Sequence, residues 1–292
     1  MRSTIIPAIA MCVLTSMTTG HAQAPTQPAS RLELISVNNN GAQGDNDSDV
    51  AALSADGRFF AFASIADNLV PNDNNVSSDV FIRDRVNRTT ERVSVGPNGV
   101  EGDANSGFLD GLGGVSISAD GRFVAFRSFS DRLTPDGNPN FNEHIYVRDR
   151  QTGSIERIDV ASDGSIAAGF AFDIAISADG RFVAFDTDAG NLVPGDGDDA
   201  FEVFVRDRLA GTTEGITTRV PTDTFTGNSF VSSISADGRW VAFQSNDPSW
   251  RTTIATVSSR TRSCSIARRR CYTWSASARA AYRATTTAST RS

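Results

Sequence analysis

Ser54-Ala55-Asp56-Gly57-Arg58-Phe59-Phe60-Ala61-Phe62 is the stretch whose reading decides the fold. The Asp-Gly pair supplies a tight turn, because glycine takes the positive φ that other residues resist. The alternating residues after it form a half-buried strand. The pattern returns at Ser118 to Phe126, Ser177 to Phe185 and Ser235 to Phe243, and the copies begin 64, 59 and 58 residues apart. A single hairpin of this kind cannot cover its own apolar face, so the copies must stack on one another. The corners Asp56-Gly57, Asp120-Gly121, Asp179-Gly180 and Asp237-Gly238 are therefore read as structural turns.

Reading outward from the first corner gives a complete unit. Val50 to Leu53 is a short strand, Arg58 to Ala63 returns, an Asx-rich loop runs from Asn68 to Asp79, and strands follow at Val80 to Arg85 and Thr89 to Val95. Four antiparallel strands per unit is the construction of a propeller blade. Blades are expected at residues 50–95, 115–160 and 174–220, with a fourth starting at 230–247. Leu32 to Val37 resembles Glu91 to Val95 and Glu156 to Val160, so residues 32–49 read as a closing strand and its loop. The fold class is all-β, a partial propeller of about three and a half blades with open strand edges that invite association or aggregation. In the strand that ends Arg-Asp-Arg, Arg83, Arg148 and Arg206 are expected to face out. The pairs Asp84/Arg85, Asp149/Arg150 and Asp207/Arg208 are expected to serve as ion pairs and turn caps.

Ser-Ala-Asp-Gly-Arg-Phe-Val-Ala-Phe, followed in register by Val-Phe-Val-Arg-Asp-Arg and Thr-Thr-Glu-Arg-Val-Ser-Val, resembles the WD40-like (PD40) repeats of TolB-type β-propellers. The match runs from about Leu32 to Phe243, with longer spacing than the usual blade and without the separate N-terminal domain of TolB. The resemblance implies a periplasmic or secreted propeller. It carries over none of TolB's own partners.

Residues 1–24 read as a secretory signal: Arg2, the apolar run Ile5 to Leu14, and small residues ending in Ala22-Gln23-Ala24. That run is too short to span a bilayer, and Met11 before Cys12 argues against a lipoprotein. Residues 25–31 are a linker rich in Pro, Gln and Ser. Cysteine occurs only at 12, 264 and 271, which excludes a disulfide scaffold, a cysteine nucleophile or a cysteine zinc site from the repeats. All 27 basic residues are arginine, and between residues 25 and 250 there are 17 of them against 34 acids. So acidic a body repels nucleic acid and anionic lipid and draws cations or basic partners.

From residue 248 to 292 the repeat gives way to Arg, Ser, Thr and Ala. Joining the last base of each codon to the first two of the next allows Cys271 to Ser289 to read LHVVSVSAGSVPGDNDSE, which aligns without a gap to Leu32 through Asp49. The hypothesis is a frameshift between about Phe243 and Trp250 that leaves an unpacked, disordered tail. Codons in the gene that fail to regenerate the repeat in the alternative frame would remove it.

Chemistry has few places to reside. His144 is the only histidine outside the leader and is expected in a loop or turn, and no phosphate-binding loop is present. Acidic and Asx residues recur in loops: Asp45, Asp47 and Asp49; Asp73, Asn75 and Asp79; Asp136, Asn138 and Glu143; Asp196, Asp198 and Glu202. Oxygen ligands on alternate loop residues can converge on Ca²⁺, and the same residue types are also ordinary turn formers. No catalytic residue or organic cofactor is assigned. The reading is a non-catalytic extracytoplasmic module that binds a protein or glycan partner, with Ca²⁺ as its one candidate cofactor. The alternative is a glycan hydrolase with a carboxylate pair at the propeller mouth.

Overall fold

The computed structural model describes residues 32–107, 114–196, 200–217 and 227–246, and the backbone of two short strands in 256–266. The leader, the linker, Asp198 and the rest of the tail lie outside the described residues.

Four four-stranded sheets follow one another along the chain. The first is β1 (Ser48–Leu53), β2 (Phe59–Ser64), β3 (Asp79–Asp84) and β4 (Thr89–Arg92), each antiparallel to the next. The second is β5 (Val115–Ile117), β6 (Phe123–Ser128), β7 (His144–Asp149) and β8 (Ile155–Arg157). The third is β9 (Ala171–Ile176), β10 (Phe182–Thr187), β11 (Glu202–Asp207) and β12 (Thr212–Gly215). In the fourth, β13 (Ser229–Ile234) and β14 (Trp240–Ser245) pair as before. Its outer strands β15 (Thr256–Val257) and β16 (Arg262–Ile266) come from the tail, and β16 runs parallel to β14. This sheet is therefore mixed, unlike the antiparallel repeat, and this part of the tail pairs with a blade instead of standing apart from it.

The sequence predicts alternation in the strand after each corner. The structure instead buries every residue of β2 and β3, because one face is covered by the second blade and the other by Ile35, Ala66 and Leu69. Alternation survives at the outer edge, where Thr89 and Glu91 are exposed and Thr90 is buried. The apolar cores lie between blades. Phe59, Val80, Ile82 and Val93 of the first blade pack with Val115, Val124, Phe126 and Tyr146 of the second. Equivalent clusters join the second blade to the third and the third to the fourth.

The innermost strands β1, β5, β9 and β13 are consecutive neighbours. Their corners are tied by one repeated backbone bond: Ala55 N–H donates to Ala119 O (3.0 Å), Ala119 N–H to Ala178 O (2.9 Å) and Ala178 N–H to Ala236 O (3.0 Å). Repeating one contact from blade to blade turns the sheets about a common axis, which is the propeller arrangement.

Each corner folds by the same local chemistry. Ser54 Oγ donates to Asp56 Oδ1 (2.6 Å), Arg58 N–H donates to the same oxygen (3.0 Å), and Phe59 N–H donates to Ser54 Oγ (2.9 Å). Serine and aspartate thereby replace the backbone partners that the turn removes. Gly57, Gly121, Gly180 and Gly238 all have φ near +70°. At the last three a second constraint operates: a Cβ on Gly121, Gly180 or Gly238 would lie 2.2, 2.2 and 2.1 Å from the ring of Phe59, Phe123 or Phe182 of the preceding blade.

Arginine completes the joint. Arg58 grips Asp84 of its own blade through Nε (3.0 Å) and Nη2 (2.6 Å), and Arg122 and Arg181 hold Asp149 and Asp207 likewise. Arg150 reaches back across the joint to Glu91, donates to Gly121 O (2.6 Å) and lies 4.6 Å over the Phe59 ring. Arg208 repeats this with Glu156, Gly180 O and Phe123. The ion pairs expected for Asp84/Arg85 and its equivalents thus divide: the aspartate is held within its own blade and the second arginine crosses to the blade before. Arg83 corrects the sequence reading, since it is buried and not outward. Its guanidinium donates to Thr90 Oγ1 (3.0 Å) and Asn38 O (3.4 Å), and Arg148 and Arg206 reach Val95 O and Ala161 O in the same manner.

Leu32 to Val37 forms no strand ladder. It contributes one bridge, Val37 to Gln43. It nevertheless takes the place of an outer strand beside the first blade. Arg85 donates to Glu33 (2.6 Å) as Arg150 does to Glu91, and Ile35 packs on Phe62, Leu69 and Phe81.

Gly121→Ala should destabilise the protein by about 2–4 kcal/mol, the sum of a positive-φ penalty and overpacking against Phe59. Gly211→Ala, with similar φ (+68°) and nothing within 4 Å of the new Cβ, should cost only about 1 kcal/mol. Urea denaturation of both variants measures the difference.

Candidate functional site

Strand polarity sorts the loops onto two ends. The Asp-Gly corners and the turns after the Arg-Asp-Arg strands share one end, where acids and arginines are paired. The Asx-rich loops and the connections between blades share the other. There Asp45, Asp47, Asp67, Asp73, Glu101, Asp103, Asp131, Asp136, Asp163, Asp188 and Asp196 come from loops in which Arg132 is the one arginine among the described residues. The charge asymmetry of the sequence is thereby concentrated on a single rim.

Within this rim the structure gathers three carboxylates, Asp73, Asp79 and Glu101, with one oxygen of each within 4.8 Å of the others. Asp73 comes from the loop, Asp79 opens β3, and Glu101 lies in the connection to the second blade, pinned by the bridge from Val95. Arg92, at the end of β4, places Nη1 between them, 3.1 Å from Asp73, 3.0 Å from Asp79 and 2.5 Å from Glu101. Its Nη2 donates to Asn72 O (3.2 Å). Asp79 also accepts from Ser94 Oγ (2.5 Å) and Asn75 Nδ2 (3.0 Å). The guanidinium occupies the centre that a cation would take. Burial pushes Asp79 up from the ordinary carboxylate range. Burial also drives Asp73 up to about 7, against the pull of Arg92 and with the push of Asp79 and Glu101.

The other expected ligands are placed differently. Asp45 caps Asp67 N–H (3.1 Å) from an exposed loop, Asp47 is exposed, and Asp49 lies in β1 opposite Ala63. The three do not gather: Asp45 turns to the backbone of Asp67 and Asp49 is fixed in the strand, so their oxygens are not among those that converge. In the second blade Arg157 takes the role of Arg92, donating to Asp136 (2.6 Å) and to Gly137 O. There Asn138 donates to Phe129 O and Asn142 O, while Glu143 is buried 3.4 Å from Arg127. In the third blade Gly215 stands opposite Phe204 in the register that sets Arg92 opposite Phe81 and Arg157 opposite Tyr146. Asp196 and Glu202 therefore receive no arginine from that strand position.

Two buried groups escaped the sequence reading. His144 opens β7 instead of standing in a loop, and its Nδ1 lies 2.6 Å from Asp159 Oδ2 with both side chains fully buried. Asp186, in the middle of β10, accepts Val231 N–H of the next blade (2.9 Å). Burial and the neighbouring Asp173 hold its carboxyl well above the usual range. Asp186 sits in an otherwise apolar strand whose alanine counterpart in the first blade is Ala63, so only the break in the repeat pointed to it. Glu101 and Arg92 fell outside the loop pattern and are brought in by strand register alone.

Blades, corners and inner strands together define a β-propeller. No family model matches the chain, and no curated protein matches it. The chain is similar to solved TolB structures and to another propeller. It is 18% identical to TolB from Acinetobacter baumannii over 68% of this chain and 37% of that one, with a TM-score of 0.42. It is 20% identical to a TolB from Agrobacterium tumefaciens over 59% of this chain and 50% of that one, with a TM-score of 0.37. The third is the β-propeller domain of the Trilobed protease from Pyrococcus furiosus, with its open velcro topology, at 14% identity, 64% and 45% coverage and a TM-score of 0.40. The chain thus spans between 37% and 50% of the length of these three.

Arg92→Ala should cost about 3–5 kcal/mol, because it leaves buried carboxylates without their cation. The carboxyl of Asp73 binds its proton more tightly folded than unfolded, so its contribution to stability is present at low pH and is lost as pH rises from about 4 to about 7. Asp73→Asn should flatten that decline in denaturation curves taken across this range.

Proposed function

We propose that this propeller is a non-catalytic binding module acting outside the cytoplasm, and that its acidic rim receives a protein partner through a basic surface. The observation that carries this reading is the separation of charge: arginines at the corner end are engaged in joints, while at the loop end Arg92, Arg132 and Arg157 are taken up by Asp73, Asp79, Glu101, Asp103 and Asp136 and the surface still presents the exposed Asp45, Asp47, Asp67 and Asp163. A one-sign rim raises the encounter rate and selects partners by charge complementarity. The one described histidine supports the same view, since its Nδ1 is engaged with Asp159 in the interior. Export agrees with the signal-like first 24 residues, and among the described residues no helix is long and apolar enough to cross a membrane. Asp45→Lys combined with Asp103→Lys should weaken capture of basic peptides from an array by about tenfold at low salt and by less at 0.5 M. Hydrolysis of a glycan panel, abolished by substituting a rim carboxylate, would instead favour the enzyme reading.

A second reading, calcium binding, draws support from the gathering of Asp73, Asp79 and Glu101, with one oxygen of each within 4.8 Å of the others, and oxygen-rich loops of this type suit Ca²⁺. A melt with millimolar Ca²⁺ set against one with chelator should separate by several degrees, and superimposed transitions would dismiss the metal. Arg92→Ala provides a companion measurement, since Ca²⁺ should recover part of its lost stability if the Asp73, Asp79 and Glu101 cluster accepts a metal in place of the guanidinium.

A further inference from the structure

The ring-against-glycine contact recurs three times within the chain, twice with a crossing arginine, and each of its halves is found once more without its counterpart. The donor half is an aromatic ring directly after a corner: Phe59, Phe123 and Phe182 each lie under the glycine of the next blade. The fourth residue of this series is Trp240, and among the described residues no corner lies on it. It is 46% exposed, against 9% for Phe59. The acceptor half is a glycine corner, reached at Gly121 and Gly180 by a crossing arginine. Gly121, Gly180 and Gly238 are buried under their rings, whereas Gly57 is only half-buried and a Cβ there would meet nothing within 4 Å except Arg85 Nη1 at 3.8 Å.

Everything in the first corner except the ring is already in place. Arg85 donates to Gly57 O (2.7 Å) and to Glu33 (2.6 Å), repeating what Arg150 does with Gly121 O and Glu91. In the second and third blades this arginine also covers a phenylalanine of the preceding blade, at 4.6 and 4.5 Å. For Arg85 that place is empty of any ring among the described residues. Backbone groups match too: Ala236 is exposed and its N–H is in the position from which Ala55, Ala119 and Ala178 donate to the next blade. Trp240 and the Gly57 corner lie on opposite edges of the same molecule and have complementary chemistry. Tryptophan is the ring that binds guanidinium best.

We infer that a second copy of this chain supplies the missing half, with Trp240 of one copy inserted beneath Arg85 against Gly57 of the other, so that the joint within the chain is continued between chains. The contact is heterologous: it joins the trailing edge of one copy to the leading edge of the next, and so forms a closed ring if the rotation closes and a filament if it does not. It lies at the corner end and leaves the acidic rim uncovered, which makes it independent of the binding proposed for the rim.

The test is sedimentation velocity on the full chain over a wide concentration range, with circular dichroism to certify that each variant is folded. The expected result is mass that rises with concentration in whole multiples of the chain. Trp240→Glu and Arg85→Glu should each weaken that association about tenfold or more; Arg85→Gln replaces the latter if it fails to fold. Mixing the two variants restores one sound joint, between the Trp240 of one and the corner of the other, and should give a 1:1 dimer that grows no further. A chain that stays monomeric throughout, variants that associate like the wild type, or folded variants that form no mixed dimer would each overturn the inference.

Discussion

The fold depends on a close approach that only glycine permits. A corner whose backbone has positive φ lies against the aromatic ring of the blade before it, at a distance that leaves no room for a Cβ. At the second and third corners two arginines hold this approach in place. One grips an aspartate within the blade and fixes the corner; the other crosses to the preceding blade and covers the ring from above. Buried area between blades supplies the bulk of the attraction, and the joint fixes the angle and register in which that area is buried. Ion pairs on an open surface would contribute little. Here the aspartates are largely buried and each is gripped through two nitrogens, a geometry that makes charge-assisted bonds specific.

With one end of each blade committed to this joint, variation moves to the other. The loops there tolerate different lengths and compositions, as loops on a rigid frame commonly do. The position after the outermost strand shows how the frame and the loops communicate. Arg92 draws three carboxylates together, Arg157 serves one aspartate and a carbonyl, and the third blade sets Gly215 at that position. The blades are thus alike in backbone and unlike in the residues they set at their upper ends. Such an arrangement lets one architecture present several surfaces.

Much of this was legible in the sequence. Corners, strand order and the kinship of Leu32 to Val37 with later outer strands follow from a repeat that recurs in register, and local turn chemistry is carried by adjacent residues. What stayed hidden depends on contacts between distant segments. Arg83 looked outward because alternation within one strand cannot show that a distant segment, here the chain around Val37 and Asn38, covers the other face. Glu101 joined Asp73 and Asp79 through a bridge that no loop motif encodes. Asp45, Asp47 and Asp49 looked like a ligand set in one dimension, whereas in three Asp45 is bound to the backbone of Asp67 and Asp49 belongs to a strand. His144 read as a loop residue because the boundary of β7 moved by a single position, which was enough to carry it into the interior.

Among the described residues, the apolar cores join each blade to its immediate neighbours in the chain. Opening is therefore a local affair that starts where a blade has one neighbour and works inward. Amide protons in β6, β7, β10 and β11, flanked on both sides, should outlast those of the first and fourth sheets in exchange with deuterium. The molecule behaves in this respect less like a solid body than like a short stack of cards, loosest at its two covers.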